Sequence, residues 1–305
     1  MRPGAPLLCL ALLSGAGCAT AGGERGSTKR SGTAAGEALS LQFRWPEGFQ
    51  ARVTLVHREE RSGTPSGSAR ATHRLVTERS GGAIRVLVRE AEAEGDVPDL
   101  EANIRIAEAL VQVVTRDGAY LRTEGLDQAL QVLGTSDADS REVARAALER
   151  IAELDWELTA GAWAGRTLEA GRPLARQFAG SMPLLPGVPV LLEVEQTLLG
   201  STPCDEGAAA ECVELSWLGI PEKAARAAAL RQLRGETDKG ERPFEMEDVA
   251  ARIEARLVAE PRTLVPHRLD ISEELRITVR QPGSDAVDLV ERSEDHYRFV
   301  VEQEL

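Results

Sequence analysis

Residues able to do chemistry are few in this chain, and in the sequence they stand apart. There are four histidines: His57, His73, His267 and His296. None belongs to an H-E-x-x-H run or to another close metal-ligating pair. His57 and His73 both fall in strand-like patterns, from which they could face one another across a hairpin. "HREE" (57–60) and "EDHY" (294–297) set carboxylates beside imidazoles. Adjacent strand residues point to opposite faces, so neither run aims its neighbours at one site. No serine stands in G-x-S-x-G; Ser66, in the stretch 63–67, reads as part of a hairpin loop. S-x-x-K, a P-loop and a G-x-G-x-x-G opening a helix are all missing. Trp156 and Trp163, in "DWELTAGAW", either line a ligand cleft or pack where a long helix meets a sheet. Packing is the expectation, because large aromatics commonly dominate cores. No catalytic, cofactor-binding or metal-binding residue is assigned, and a non-enzymatic protein without a cofactor is expected.

Cysteine carries the remaining chemistry. Residues 1–17 have the order of an export signal: Arg2, then an apolar run through Leu12 and Leu13, then small residues. The apolar run is too short to span a bilayer, which takes about 20 residues, and no later stretch is apolar for that length. Ala16, Gly17 and Cys18 resemble the last three positions of the bacterial lipobox, with Gly15 standing where a leucine is usual. That resemblance implies lipidation of Cys18 and attachment to a membrane of the cell envelope. Ala19, rather than an aspartate, leans towards the outer membrane, facing the periplasm. A released periplasmic or secreted protein is the alternative. Two or three acyl chains anchor stably, whereas one holds weakly.

Export places Cys204 and Cys212 in an oxidising compartment, where an even pair is expected to be bonded. "PCDEGAAAECVEL" then reads as a loop between two strands, closed by a disulfide. A zinc site is the competing reading, but it asks for four ligands and no histidine is near in sequence.

The chain has 305 residues and a net charge of −13, which opposes binding to nucleic acid or to an anionic surface. Aromatics are 4% of residues, so the core must rest on Leu, Val, Ile and Ala. Residues 18–37 read as a lipidated cysteine and flexible tether. From Ala38 onwards period-two runs recur: "LSLQFRW", "FQARVTLVHREE", "AIRVLVRE" and the hairpin "VQVVTRDGAYLRTEG". Helices are expected near 99–109, 125–133 and 221–235, with a long one starting near 136–139. That helix would be capped by Ser136 or Ser140 and would bury Val143, Ala147, Ile151 and Leu154. Strands are expected at 255–259, 263–271, 275–280, 286–291 and 297–303, while 249–257 fits helix or strand.

The expected class is α+β: a large antiparallel sheet, curved or half-barrel-like, with helices packed on one face. Residues 38–305 form this domain, with strand-rich lobes at 38–124 and 166–305 joined by the helical segment 125–165. The order of elements is similar to that of lipoprotein-localisation half-barrel proteins, which would imply a curved sheet over an apolar cavity. Three functions stand in order. The first is a membrane-anchored binding or structural module of the cell envelope, with an envelope protein or lipid as partner. The second is a lipid or lipoprotein carrier, and the third a hydrolase without a recognisable motif.

Overall fold

The computed structural model describes residues 38–64, 66–135, 137–205, 211–237, 245–281 and 283–302. Cys18, the export segment and the tether lie outside them, as do Ser136 and residues 238–244.

Alternation of apolar and polar residues builds one antiparallel sheet of eleven strands. In chain order the elements begin with β1 (Ala38–Ser40), β2 (Gln50–Arg61), β3 (Gly67–Ser80) and β4 (Ala83–Gly95). Helix α1 (Leu100–Ala109), the hairpin β5 (Val111–Thr115) and β6 (Tyr120–Glu124), and helices α2 (Leu126–Val132) and α3 (Ala138–Trp156) follow. After a π-helical turn at Glu157–Gly161 come β7 (Thr167–Glu169), β8 (Leu174–Met182), β9 (Leu185–Pro203) and β10 (Glu211–Pro221). Helix α4 (Lys223–Thr237) and strands β11 (Glu245–Ala259), β12 (Pro266–Arg280) and β13 (Ala286–Val301) complete the chain. The sheet order is β6-β5-β4-β3-β2-β13-β12-β11-β10-β9-β8. Pairing of β2 with β13 therefore joins the first strands to the last in a single sheet. The sheet is open: β6 and β8 are its edges, and they do not pair.

The expected class holds, and the long strands differ in detail. β12 and β13 each run unbroken through positions where the sequence pattern suggests a gap. The gaps fall at Glu273, Ser293 and Asp295, polar residues on the face that otherwise carries Leu275, Tyr297 and Phe299. The ambiguous stretch 249–257 is strand, within β11. Pro221 ends β10 rather than opening a helix, and α4 begins at Lys223. "LSLQFRW" contributes only the short β1, which pairs with β7. Beyond it the chain stays extended, with Leu41, Phe43 and Trp45 buried in the core.

Helix α3 closes the concave side. It touches β5 and β6 at one edge of the sheet and β8 and β9 at the other. Its cap is Asp137, whose side chain accepts from the Ser140 N–H at 2.8 Å, not Ser136 or Ser140. Its buried face is Ala144, Ala147, Leu148, Ala152 and Trp156, while Val143 is 58% exposed. Three small alanines share that inward face with the bulky Leu148 and Trp156. One cluster joins Ala144 and Leu148 to α1 and α2, and the main core takes Trp156. Trp156 donates to the Gly118 carbonyl at 2.8 Å. Gly118 has φ 91°, and a Cβ there would meet Phe43 at 2.8 Å, so the turn after β5 accepts only glycine without a shift of Phe43.

Cys204 and Cys212 form the expected disulfide, bridging the β9–β10 hairpin against Val258. Replacing both by serine should lower stability by about 2–3 kcal/mol, the loop-closure effect for so short a ring. Urea denaturation measures this. Equal midpoints for the two proteins would show that the bond adds nothing.

Candidate functional site

Three strands and α3 bring the polar interruptions together. Cross-strand register sets His57 of β2 opposite Asp295 of β13, and Ser293 of β13 opposite Glu273 of β12. Two residues further along the same face, Tyr297 lies between Leu55 and Leu269. His73 of β3 stands opposite Val53. Steps of two keep all of these on one side of the sheet. It is the concave side, since Val53, Leu55, Leu269 and Phe299 share a core with Trp156. His57 and His73 share this face without facing one another: His57 is opposite Ala69.

Around His73 the ladder is irregular. The register between β3 and β4 shifts between Thr72 and Arg74, and Glu90 on β4 has φ 52°. This is a β-bulge, a device that re-aims side chains. The Ala91 N–H at the bulge donates to the Glu108 carboxylate of α1 at 2.9 Å.

Between α3 and this part of the sheet is a cavity of about 150 Å³. Its floor includes Val53, Leu75, Val86 and Leu269, and Trp45 and Trp156 stand over it. Ala107 of α1 and Leu110, just after it, also line the cavity. Polar groups on its wall are His73, Gln112, Asp155, Thr159 and Tyr297. Gln112 is engaged, its amide donating to the Ala152 carbonyl of α3 at 2.8 Å. An apolar cavity of this size holds one benzene-sized molecule.

The electrostatics are unusual. Burial pushes the Asp155 carboxyl up to about 7, and the charges of Asp295 and Glu273 add to the shift. Asp155 is solvent-exposed where it borders the cavity, so water reaches its carboxylate and weakens the upward push. Glu273 is also pushed up to about 7, by burial and then by Asp295, although the Leu184 N–H donates to it. Asp295, 3% exposed, is raised well above the usual carboxylate range by burial. Its Oδ1 lies 3.0 Å from His57 Nδ1. Burial of Tyr297, with the same three carboxylates behind it, raises its phenol strongly. Burial lowers the His73 imidazole to about 4, so it is neutral at pH 7.

The remaining histidines lie elsewhere. His296 pairs with Asp270 at 3.0 Å on the outward side, half-exposed. His267 reaches the disulfide from β12, a neighbour that sequence spacing had not suggested. Ligand atoms of Cys204, Cys212 and His267 lie within 4.8 Å of one another. The sulfurs are bonded to each other, so they offer no thiolate, and His267 Nδ1 is 3.0 Å from Asp205. Trp163 packs in the core, whereas Trp156 both packs and lines the cavity. Sequence reasoning missed Asp155, Glu273, Asp295 and Tyr297. For Glu273 and Asp295 the signal was the break in alternation within β12 and β13.

Compared with protein-family models and with curated proteins, the chain matches none.

Protonation of Asp155 and Glu273 is linked to folding. Both hold their protons to higher pH when folded than their ordinary values of 3.8 and 4.5 allow. Their contribution is complete below about pH 4 and is lost as pH rises through about 7. His73 acts oppositely: its contribution is present above 6.5 and is lost as pH falls towards 4. Solvent at the cavity mouth screens Asp155 and reduces the size of its effect. Asp155→Asn should therefore melt slightly higher than wild type at pH 8, by at most about 2 °C. The gain should shrink at pH 5. Thermal melts at the two pH values test this, and a gain independent of pH would contradict it.

Proposed function

We propose that this protein is a lipid-anchored protein of the bacterial cell envelope that binds a small apolar ligand between α3 and the sheet. The cavity is the observation that carries the binding half. It is lined mostly by Leu, Val and Trp side chains, with a few polar groups in its wall, the usual make-up of a small-molecule site. This favours a carrier or ligand-binding module over a purely structural one. The anchoring half rests on Cys18 and its resemblance to the lipobox.

A hydrolytic reading draws on one observation, the buried His57–Asp295 pair. The cavity wall contains His73, Asp155 and Tyr297 but neither member of that pair. A substrate seated in the cavity would thus be separated from the imidazole that should act on it, and binding is the better-supported function.

Two experiments test the two halves. Toluene titrated into the protein should bind with a Kd on the order of 1 mM or tighter, read by calorimetry and tryptophan fluorescence. Ala107→Phe, which places a ring in the cavity wall, should weaken it about tenfold or more. Toluene binding unchanged by this substitution would remove the cavity from the proposal. For the anchor, a palmitate analogue fed to cells should label wild type and not Cys18→Ala. Equal labelling would end the lipoprotein reading.

A further inference from the structure

The charge pattern of the cavity narrows the class of ligand, given the binding function proposed above. No lysine or arginine is among the lining residues. Asp155 is the one carboxylate in the wall, and His73, the nearest basic group on β3, is neutral. Behind Asp155 stand Glu273 of β12 and Asp295 of β13, close enough for their charges to act on it. On α3 itself and in the following turn, Glu149, Glu153 and Glu157 are acidic too. Two cations on neighbouring elements have partners of their own: Arg150 of α3 donates to Ser181, and Arg176 of β8 pairs with Glu157. His57 of β2 faces Asp295 and lies outside the wall. One end of an otherwise apolar cavity therefore carries negative charge with no cation in its wall to balance it. Aromatic rings share the cavity wall with Asp155. Trp156 is adjacent to Asp155 in sequence, and Tyr297 shares the wall. Ring faces attract ammonium groups and do nothing comparable for carboxylates.

We propose that the site selects a small apolar amine, its hydrocarbon or aromatic body in the cavity and its ammonium on the Asp155 carboxylate, and rejects apolar acids of the same size. Selectivity is then a difference between two affinities. It has an attractive part, the ion pair formed at the rim of an apolar cavity, and a repulsive part, the unpaired negative charge that an acid would meet. Phosphate-headed and carboxylate-headed lipids fall on the rejected side.

Three probes matched in shape decide it: benzylamine, benzyl alcohol and phenylacetate. Each is titrated into the full chain at pH 8 and low ionic strength, with calorimetry as the readout. Benzylamine should bind at least about tenfold more tightly than phenylacetate, with the alcohol between them. Added salt should narrow the gap, because it screens the charged arms and leaves the neutral one alone. In Asp155→Asn, benzylamine should weaken to the level of the alcohol, while the alcohol keeps its wild-type affinity. If the alcohol binds and the amine gains nothing over the acid, selection for amines is wrong and the cavity remains a binding site. If none of the three binds, the cavity reading itself falls and takes this inference with it. The wild-type order needs no substitution, so a variant that fails to fold leaves the test intact.

Discussion

An antiparallel sheet that does not close must manage two edges, and here a helix does so. α3 lies across the opening of the curved sheet and touches strands near both edges. Polar pins fix it and its extension to the strands on either side. Gln112 of β5 and Gln196 of β9 each donate to a backbone carbonyl, of Ala152 and Ala162, at 2.8 Å. Trp156 reaches the turn after β5, and Arg176 of β8 pairs with Glu157. Each buried bond of this kind is worth about 1 kcal/mol made, and costs about 1–3 kcal/mol if one partner is left alone. A strand closing the sheet would have filled the space with a continuous ladder. A helix held at intervals does not, and the cavity is the space left between the pins.

The same arrangement explains why acids persist inside. Glu273 and Asp295 are placed where burial opposes ionisation, and the charge of Asp295 opposes it further at Glu273. A core chosen for stability alone would have continued the Leu and Val alternation through these positions. Asp155 borders the cavity with its protonation displaced, a combination that marks a candidate functional site. Closure of the open side also draws on these acids. The turn between β8 and β9 extends to β12, where the Leu184 N–H meets Glu273. The cluster thereby ties the folded-over edge to the middle of the sheet.

Much of the fold was legible in the sequence because period-two patterning is local. The β5–β6 hairpin, α1 and α2, and the disulfide pair could each be read from short stretches. The site was not legible, because it depends on register between residues more than two hundred positions apart. His57 and Asp295 are separated by 238 residues. In each of their strands the polar residue looked like an end or gap of a strand. Only when β2, β13 and β12 lie side by side do the interruptions coincide. The buried face of α3 was misjudged for a related reason. Val143 is the more hydrophobic residue, but the approach of α1 and α2 leaves room for Ala144 and Leu148 instead.

One feature of the entry segment has a mechanical meaning. The first described strand, β1, makes a short pairing with β7, and the chain then runs straight through Leu41 and Phe43 to Trp45. Trp45 borders the cavity and donates to the Leu264 carbonyl at 2.9 Å. Between β1 and Trp45 the N–H groups of Leu41, Gln42 and Arg44 donate to the carbonyls of Arg166, Pro261 and Thr263, which ties the segment down along its length. A pull on the preceding chain would load β1 first and then Trp45, so that traction and the volume of the cavity are connected in series.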